Sequence, residues 1–376
     1  MKRLAIFSFY DCEGHADIYI NCLLQDIAGF VDKLVIVCNG SVDEDSLQLF
    51  QNVSAHCFIR ENIGYDAGGY KYMLISLAQE GVLAAYEECI LLNNTFFAFF
   101  YPLQEMFDVM GQKTDVDFWG ITRHPKGQYR DKYYFKEHIQ AYFLVIRSRM
   151  FHSADFLWFW RNMDYPADYH MAVQRFEIAF TEFFTRKGFV GDVYCDLQKI
   201  GIADRYGINP YLFYGFELIA QMQCPVLKIK SICIENSESI RVLKTIEYLQ
   251  KMQLYDTELI WQYLIRSCKN GSISTYFDFY RLERFCRRFS CLYVYGNGVY
   301  GKWIKMYLYL RHFPFGGFVV TRKTEASEEE TFEYAKLEKK QNVGWILALN
   351  EKNTREVLQF IGEDILADHI FTGNKE

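Results

Sequence analysis

The stretch that decides the fold is residues 57–79, CFIRENIGYDAGGYKYMLISLAQ, which joins a short strand to a helix through a polar loop containing glycine. Residues 57–60 have the length and apolar character of a strand, and residues 68–79 carry apolar side chains at helical spacing. Glycines at such a junction permit positive φ and let the backbone approach a ligand closely. Amides at the start of the helix attract an anion such as a diphosphate. The stretch therefore predicts a strand–loop–helix unit that binds a nucleotide.

Five residues of this junction are candidates for contact with a nucleotide donor: Arg60, Asn62, Gly64, Tyr65 and Asp66. The carboxylate of Asp66 is suited to accept hydrogen bonds from a ribose or a base. The simpler interpretation is a turn in which Asn62 and Asp66 only cap the following helix. The residues alone leave both interpretations open.

The alternation of strands and helices extends outward from this junction. Apolar runs predict further strands at residues 3–10, 34–38, 88–92, 117–121 and 142–146. Strands that alternate with helices in this way predict an α/β layered domain with a mostly parallel sheet. In such sheets, ligands bind beyond the carboxyl ends of the strands.

Polar residues follow two more of these predicted strands. Tyr10 and Asp11 follow the first strand, and Asn93 and Asn94 follow the strand at 88–92, so we expect all four at the donor-binding edge. In many enzymes that use nucleotide sugars, the strand that corresponds to residues 88–92 is followed by an acidic pair, which holds Mg²⁺ or Mn²⁺ on the diphosphate. Here both positions are amides, which bind such ions weakly. Either the metal is dispensable and Arg or Lys neutralises the diphosphate, or Asn94 orients the sugar; a plain Asx turn is the structural alternative.

His138 and Gln140 alternate with apolar neighbours where a strand begins, so they share one face. A lone histidine is more often structural, but paired with Gln140 near the same edge it is a candidate for binding the sugar or the acceptor. Further along, Glu177 and Glu182 lie about 140° apart around a predicted helix, so we expect one to face the cleft and the other to face solvent. We expect Glu177 to open this helix, where a carboxylate also simply complements the helix dipole.

Three domains are predicted along the chain: a catalytic-type domain at residues 1–235, a helical connector at 236–289 and a Rossmann-like module at 290–376. The first has the strand and helix pattern described above, and the second is helical throughout. The third returns to alternating strands and helices.

The third domain contains a Gly-x-Gly-x-x-Gly pattern at Gly296, Gly298 and Gly301, between a strand and a helix. A dinucleotide site also needs an acidic residue for the ribose after the next strand. That place holds Thr-Arg-Lys at residues 321–323. We therefore expect no NAD(P), although the basic pair would suit a 2′-phosphate.

Composition excludes several functional classes. The 376-residue chain contains 41 Lys plus Arg and 47 Asp plus Glu, so its formal net charge is 41 − 47 = −6, which argues against binding to nucleic acid. Hydrophobic residues make up 51%, which excludes a largely disordered chain. The 11 cysteines contain no Cys-x-x-Cys pair, which argues against a structural zinc site. Several lie in apolar runs, which indicates buried thiols in a reducing cytoplasm.

No targeting or membrane-spanning segment is predicted. The N-terminal apolar run ends at Asp11 without a cleavage site of small residues, which favours a strand over a signal peptide. The most hydrophobic stretch, residues 90–101, is interrupted by polar residues and is shorter than the roughly 20 residues that span a bilayer. We therefore expect a cytoplasmic protein that is soluble or peripheral at the inner face of the membrane.

Taken together, these segments resemble the rhamnan synthesis protein F family, glycosyltransferase-like proteins of bacterial cell-surface polysaccharide assembly. The resemblance covers about residues 1–235 and rests on the following segments in order: residues 10–11, 37–40, 60–71, 91–95 with Pro102, 117–122, 138–143, 156–160, 177–188, 209–210 and 225–228. It implies a GT-A fold. The helix with Glu177 looks like the one that begins with the catalytic carboxylate in related inverting enzymes, which makes Glu177 the candidate general base. The departure is Asn93-Asn94-Thr95, where the family more often has Asn-Asp-Ser.

The resemblance implies transfer of a deoxyhexose such as rhamnose from a nucleotide diphosphate sugar onto a growing, lipid-linked glycan. Three alternatives are a retaining transferase, a non-catalytic sugar-nucleotide-binding or scaffold protein of an assembly complex, and an NAD(P)-linked oxidoreductase built on the C-terminal module. Tyr10, Tyr65, Tyr70 and Trp119 fall beside the expected cleft, where their rings would stack on a base or a sugar.

Overall fold

The structure is a computed structural model that describes residues 1–129, 133–202, 209–232, 239–273, 275, 278–323, 330–337 and 342–373. The chain divides into two compact units, Met1–Ile229 and Lys230–Glu376. The predicted boundary between residues 235 and 236 lies outside the described residues. Each unit is built around a sheet of its own.

The strands of the first unit are, in chain order, β1 (Arg3–Phe9), β2 (Lys33–Asn39), β3 (Cys57–Arg60), β4 (Glu88–Asn93), β5 (Phe96–Ala98), β6 (Phe118–Gly120), β7 (Arg123–His124), β8 (Gly127–Tyr129), β9 (Tyr133–Phe135), β10 (His138–Ile139), β11 (Phe143–Arg147), β12 (Gly191–Val193) and β13 (Val226–Lys228). The main sheet has the order β12-β6-β11-β4-β1-β2-β3. Within it, β11 is antiparallel to both neighbours and the other adjacent pairs are parallel. The expected α/β fold with a mostly parallel sheet is confirmed.

The helices of the first unit are α1 (Ile18–Ala28), α2 (Glu44–Val53), α3 (Tyr65–Gln79), α4 (Leu103–Gly111), α5 (Ser148–Phe151), α6 (Ala154–Asn162), α7 (Tyr169–Ala172), α8 (Ala179–Arg186) and α9 (Pro210–Met222), and α10 (Ile229–Ile232) follows at the division between the units. Short 3-10 turns occupy Val82–Ala85 and Leu197–Ile200, and a π-helical turn, Val173–Ile178, joins α7 to α8. All six residues of β4 are buried. A strand covered on both faces needs such a continuous apolar run, which is why the central strands were visible in the sequence.

Helix α3 begins at Tyr65, three residues before the predicted start. Gly64 precedes it with φ +83°, a left-handed conformation that glycine adopts without strain. One turn later the helix lies against its own entry loop, because a Cβ on Gly68 would stand 2.0 Å from the carbonyl oxygen of Ile63. The sequence of the junction therefore fixes both the start and the close packing of the helix.

Two of the aromatic residues predicted to line the cleft lie in the core instead. Tyr70 and Trp119 are both 0% exposed, so the prediction that their rings stack on a ligand is wrong. Tyr70 shares the buried face of α3 with Ala67 and Leu74, which is the helical spacing of a core residue.

Glu177 lies inside a helical run and does not open it. The run begins at Tyr169, after Asp168, whose side chain accepts a hydrogen bond from the backbone N–H of Met171. It continues through the π-helical turn, which contains Glu177, into α8. The predicted helix start at Glu177 is therefore wrong by two turns. Glu182 lies at the surface, paired with Lys136, as the 140° separation implied.

The described residues of the second unit form five strands, β14 (Cys291–Tyr295), β15 (Phe315–Val320), β16 (Thr331–Glu333), β17 (Val343–Leu347) and β18 (Ile370–Thr372). They form one sheet in the order β16-β15-β14-β17-β18, and every adjacent pair is parallel. The helices of this unit are α11 (Ser239–Lys251), α12 (Glu258–Lys269), α13 (Phe279–Cys286), α14 (Val299–Leu310) and α15 (Glu351–Ile361), with short 3-10 turns at Tyr334–Lys336, Gly362–Asp364 and Ala367–His369.

Across both units, none of the helices in the described ranges combines the length and apolar character needed to cross a bilayer.

Candidate functional site at the carboxyl edge of the main sheet

The parallel strands of the main sheet end together at one edge. The register pairs Ser8 of β1 with Asn93 of β4, and Asn39 of β2 with Arg60 of β3. The antiparallel strand β11 begins at the same edge, because its first residue, Phe143, pairs with Leu92 (β4). Residues that follow these strand ends, and those that precede β11, are therefore brought together as the sequence predicted.

Asn93 is the centre of a hydrogen-bonded chain at this edge. Its Nδ2 donates to Oδ2 of Asp66 at 2.8 Å. Its Oδ1 accepts from the backbone N–H of Thr95 at 3.1 Å and from the Thr95 hydroxyl at 2.7 Å. The amide thus joins the end of β4 to the first turn of α3 and uses both of its polar atoms in doing so.

Two carboxylates, Asp66 and Glu177, lie close enough to influence one another's ionisation. Burial is the main cause that raises the pKa of Asp66 above its usual value, and the negative charge of Glu177 adds to the rise. Hydrogen bonds from Asn93 and from the backbone N–H of Ala67, together with the charge of Lys228, only partly offset this. The environment therefore favours the protonated form of Asp66 more than that of an ordinary aspartate.

The pKa of Glu177 moves in the opposite direction. Burial acts to raise it, but the hydrogen bond and charge of His138, the charge of Lys228 and the backbone N–H of Ala141 outweigh burial and lower the pKa. Two neighbouring carboxyl groups whose pKa values are pushed apart can play different parts in one reaction. Glu177 is the one kept ionised.

His138 and Glu177, predicted separately, contact one another. His138 Nε2 lies 3.2 Å from Glu177 Oε2, and the two side chains are 1% and 23% exposed. The other ring nitrogen, Nδ1, lies 2.8 Å from the carbonyl oxygen of Lys136, which can only accept, so Nδ1 carries a proton. With its proton on Nδ1, the ring has only a lone pair at Nε2, and an ionised carboxylate oxygen likewise can only accept. A hydrogen bond between Nε2 and Oε2 therefore needs one more proton, on one of these two atoms. The geometry therefore places one proton between His138 Nε2 and Glu177 Oε2.

A second histidine lies against this pair. The rings of His124 and His138 are stacked with centroids 5.2 Å apart and planes 6° apart. Burial, followed by the charge of His138, lowers the pKa of His124 against the opposing hydrogen bond to the carbonyl of Pro125. A neutral His124 is the arrangement that tolerates a second proton on its neighbour.

Lys228 supplies a positive charge at the same edge. It ends the 225–228 segment of the family resemblance, but it was not among the predicted site residues. Its ammonium donates to the hydroxyl of Thr95 at 2.9 Å and lies 4.3 Å from the centroid of the Tyr142 ring. It lowers the pKa of both Asp66 and Glu177, so it is close to both carboxylates. Thr95 and Lys228 are 133 positions apart, and only the pairing of β13 with β5 brings them together.

Asn94 and Tyr10 hold one another through reciprocal hydrogen bonds. The Asn94 Nδ2 donates to the carbonyl of Tyr10 at 2.9 Å, and the backbone N–H of Tyr10 donates to Asn94 Oδ1 at 3.2 Å. The Tyr10 ring remains 51% exposed beside this contact. Next to it, Asp11 Oδ1 accepts from the backbone N–H groups of Glu13 and His15, which shapes the turn after β1.

The residues of the 60–66 junction are divided between structure and surface. Arg60 donates to Asn39 Oδ1 at 2.5 Å and to the carbonyl of Ile63 at 2.9 Å, and burial lowers its pKa. Asn62 and Tyr65 are exposed. Arg60 therefore fixes the loop that presents these side chains.

Gln140 lies in a buried network instead of an open cleft. It is 6% exposed, and its Oε1 accepts a hydrogen bond from the hydroxyl of Thr122 at 2.7 Å. The Thr122 hydroxyl also lies 3.1 Å from that of Tyr142, whose ring faces Lys228. Gln140 is thus connected through Thr122 to Tyr142, the residue whose ring lies beside the Lys228 ammonium.

The donor set at the end of β4 does not fit a divalent cation. Mg²⁺ and Mn²⁺ favour carboxylate oxygens, whereas the amide oxygens of Asn93 and Asn94 already accept hydrogen bonds from Thr95 and Tyr10. Within the described ranges, no group of three or more His, Cys, Asp or Glu side chains is arranged to hold a metal ion. The Lys228 ammonium, which donates to the Thr95 hydroxyl, places a positive charge beside these amides.

Comparison with known proteins gives one curated relative, an uncharacterized protein named y4gN from Sinorhizobium fredii. It is 26% identical over 164 residues, which are 42% of this chain and 39% of the relative. The chain thus spans about two fifths of the length of the curated relative it matches.

Several solved structures share part of the architecture. A 4-diphosphocytidyl-2C-methyl-D-erythritol synthase has a TM-score of 0.31 at 12% identity, over 46% of this chain and 84% of its own. A mannosyltransferase from S. cerevisiae has a TM-score of 0.27 at 9% identity, over 43% and 59%. Glucosyl-3-phosphoglycerate synthase from Mycobacterium tuberculosis has 0.28 at 9%, over 40% and 58%.

The family comparison extends over most of the chain. The model of rhamnan synthesis protein F matches residues 34–361, which include α3, Asn93, His138, Glu177 and Lys228. The match runs through both compact units, well beyond the segments on which the resemblance was first based. This chain therefore belongs to the rhamnan synthesis protein F family.

Proposed function

We propose that this protein is a glycosyltransferase of polysaccharide synthesis with a GT-A-type catalytic unit. It transfers a deoxyhexose such as rhamnose from a nucleotide diphosphate sugar to a lipid-linked glycan, with inversion. Family membership supports the class of reaction. The observation that carries the site is the Glu177 carboxylate, held by His138 beside Asp66 and Lys228 at the carboxyl edge of the sheet.

The proposed roles follow from position. The exposed side chains of Tyr10, Asn62 and Tyr65 line the edge where the nucleotide binds, and Arg60 and Gly64 hold the loop in shape. Asp66 faces the ribose or the sugar. Its raised pKa favours a protonated carboxyl that both donates and accepts hydrogen bonds.

A second group of residues completes the edge near the sugar. Asn94 and Asp11 keep the turn after β1 in place beneath the nucleotide. Asn93 positions Asp66, and Gln140 supports the pocket from behind. These roles are positional, since the polar atoms of these side chains already hydrogen-bond to the protein.

Glu177 is the proposed base. The acceptor oxygen bonds to the anomeric carbon as the bond to the diphosphate breaks, through an oxocarbenium-like transition state. The hydroxyl proton passes to Glu177, and the leaving electron pair stays on the diphosphate. A lowered pKa keeps Glu177 ionised at neutral pH, and His138 fixes its orientation.

A thermal-shift screen of nucleotide sugars, each with and without Mn²⁺, tests the donor class. A ligand at 100 times its dissociation constant adds about 2.7 kcal/mol of stability, which such a screen detects. Stabilisation by a nucleotide sugar followed by transfer to a glycan acceptor supports the proposal. Tight binding without turnover on any acceptor would favour the scaffold alternative.

The variant Glu177→Gln tests the base. A positioned base contributes about 10²–10⁴-fold, so turnover should fall at least ~100-fold while donor affinity is nearly unchanged. Glu182→Gln is the matched control, because Glu182 lies five residues further along the same helical run, is partly exposed and pairs with Lys136. Wild-type turnover in Glu177→Gln would remove it from this role. A product that retains the donor's anomeric configuration, as seen by NMR, would indicate the retaining alternative.

The second unit is proposed to be a Rossmann-like module that follows a helical connector and binds no NAD(P). Its strand order, with the first strand β14 at the centre of a parallel sheet, supports this assignment. The hydroxyl of Thr321, where a ribose-binding acid would stand, lies 2.9 Å from that of Tyr295. For the whole protein we propose a cytoplasmic location at the inner face of the membrane, where a lipid-linked acceptor would be found.

A further inference from the structure

The outer face of helix α13 in the second unit is basic throughout. Over residues 279–288, all of which the structure describes, the exposed side chains are Arg281, Arg284, Arg287 and Arg288. The residues between them are buried or half-buried, so the arginines form one stripe along the helix. The exposed face of α15, in the same unit, instead mixes acidic and basic side chains, as ordinary solvated helices do.

The four arginines line a groove of about 480 Å³ together with Ile370 and Phe371 of strand β18. The guanidinium of Arg281 lies 6.0 Å from the centroid of the Phe371 ring. That ring packs in turn on Phe285, with the two centroids 5.5 Å apart. The groove therefore combines cationic and apolar side chains.

The positive charge of the groove is only partly neutralised. Arg287 and Arg288 are each ion-paired with a carboxylate, at 2.6 Å and 2.8 Å. Arg281 and Arg284 form no ion pair with any carboxylate of the described residues; their guanidinium groups lie against aromatic rings instead. An excess of positive charge therefore faces solvent along this side of α13.

A lysine at the end of α12 extends this basic face. The exposed Lys269 places its ammonium 5.9 Å from the centroid of the Tyr280 ring. The Arg284 guanidinium lies 5.3 Å from the same centroid and donates to the Tyr280 hydroxyl at 3.3 Å. We refer to Lys269 and the four arginines together as the α13 basic surface.

The charge of the α13 basic surface is opposite to that of the chain, whose formal net charge is −6. It attracts anions locally, while the acidic remainder opposes the long contact that a nucleic acid makes. Guanidinium groups bind phosphate oxygens through paired hydrogen bonds, and clusters of about four to eight Lys and Arg on an amphipathic helix are typical of binding to anionic lipid. Leu366 adds an apolar side chain, 66% exposed, two residues before Asp368, the ion-pair partner of Arg288. Cationic and apolar side chains side by side are characteristic of proteins that bind at a membrane interface.

We propose that the α13 basic surface docks the second unit on an anionic phospholipid bilayer. The arginines and Lys269 bind the lipid phosphates, and Leu366 enters the interface between the headgroups. The inference rests on the membrane location in the proposed function and adds the surface that makes the contact. It uses none of the reacting groups in the first unit.

Co-sedimentation of the full chain with vesicles tests the inference without a turnover assay. The vesicles contain phosphatidylcholine alone, or phosphatidylcholine with a third of it replaced by phosphatidylglycerol. The variants are Arg281→Gln/Arg284→Gln and the charge-preserving Arg281→Lys/Arg284→Lys. Lys352→Gln/Arg355→Gln is the matched control, since it removes the same charge from the mixed face of α15. Circular dichroism checks that each variant is folded.

We expect the wild type to bind the anionic vesicles and not the neutral ones, with an affinity that falls as salt is added. A cation near an anionic surface contributes about fivefold, so Arg281→Gln/Arg284→Gln should bind about 30-fold more weakly. Arg281→Lys/Arg284→Lys should stay within about threefold of the wild type, because it keeps both charges. The control variant should match the wild type.

Several results would overturn the inference while leaving the proposed transfer reaction standing, because the donor screen tests that reaction separately. They are no preference for the anionic vesicles, unchanged binding in folded Arg281→Gln/Arg284→Gln, or an equal loss in the Lys variant or in the α15 control. Release from the vesicles by inorganic phosphate at constant ionic strength would instead assign the surface to a small anion. Binding of an RNA oligonucleotide in place of the vesicles would assign it to nucleic acid, and either result would also overturn the inference.

Discussion

Replacing His138 tests whether it and Glu177 act as one proton-holding pair. His138→Asn places an amide nitrogen near the position of Nδ1, so it can keep the hydrogen bond to the carbonyl of Lys136 while losing contact with Glu177. His138→Gln places its nitrogen near the position of Nε2 and keeps a neutral donor for Glu177. The two variants separate the two ring contacts, which measure 2.8 Å and 3.2 Å.

The expected magnitude follows from the distance and the burial. Unit charges 3.2 Å apart attract by about 5 kcal/mol at an effective dielectric constant of about 20. Desolvation offsets part of this, because His138 is 1% exposed and Glu177 only 23%. Hydrogen bonds to charged groups contribute about 1.5–3 kcal/mol net. We therefore expect a coupling of about 2 kcal/mol between His138→Asn and Glu177→Gln.

The pH dependence has a definite sign. The folded-state pKa of Glu177 is lowered, so the ionised carboxylate stabilises the fold at any pH above the ordinary pKa of glutamate. This stabilisation is lost as the pH falls through the lowered pKa of Glu177. Without His138, burial is less opposed and the pKa of Glu177 rises. The stability difference between the wild type and His138→Asn should therefore be larger at pH 5.5 than at pH 4.

Urea unfolding of the wild type, both single variants and the double variant at pH 7, 5.5 and 4 measures the coupling free energy. His138→Gln should keep about half of the interaction. A coupling under about 0.5 kcal/mol at pH 7, or one that does not change with pH, would refute the pairing of His138 with Glu177.

Three further predictions concern the fold. Gly68→Ala should lower the unfolding free energy, measured by urea titration, by at least ~3 kcal/mol, because the new Cβ would lie 2.0 Å from the carbonyl oxygen of Ile63. Gly111→Ala is the control: its Cβ would have nothing within 4 Å, so the unfolding free energy should change by less than ~0.5 kcal/mol. By the same measurement, Trp160→Ala should lower the unfolding free energy by about 3–5 kcal/mol and Trp160→Phe by less than ~1.5 kcal/mol. The smaller loss is expected because the buried indole N–H has no hydrogen-bond partner among the described residues, and equal losses would contradict this reasoning. Glu283→Leu should lower the melting temperature of the second unit. This buried carboxylate pairs with Arg287, Tyr307 and Arg311, and of these Arg311 keeps its second partner, Glu258. An unchanged melting temperature would show that the network contributes little.

The central sheet could be predicted from the sequence because its strands are continuous apolar runs. The strand predicted at 142–146 is observed at Phe143–Arg147, a shift of one residue that is ordinary for element ends. The edge of the site was predicted for the same reason, since the polar residues at 10–11, 60–66 and 93–94 each follow such a run. Parallel pairing then brings them together.

The positions of Tyr70 and Glu177 have local signals in the sequence. Tyr70 lies three and four residues from Ala67 and Leu74, a spacing that predicts the buried face of α3. The helical run containing Glu177 has an N-terminal signal at Asp168, nine residues before the predicted start. In both cases the helical periodicity is a better guide to the side chain than the polar motif beside it.

The long-range contacts of the site had no local signal. Lys228 is one of 41 basic residues, and its proximity to Thr95 depends on antiparallel pairing across 133 positions. The contact of His138 with Glu177 depends in the same way on how the β10 segment packs against the π-helical turn. Long-range pairing of this kind is a property of the tertiary structure and is not encoded in any short segment.

The mutual contact of Asn94 with Tyr10 restricts which side chain position 94 can hold. An aspartate there could still accept from the backbone N–H of Tyr10, but it could not donate to the Tyr10 carbonyl and would set a negative charge against it. The amide at position 94 therefore ties the end of β4 to the turn after β1 in a way that a carboxylate could not.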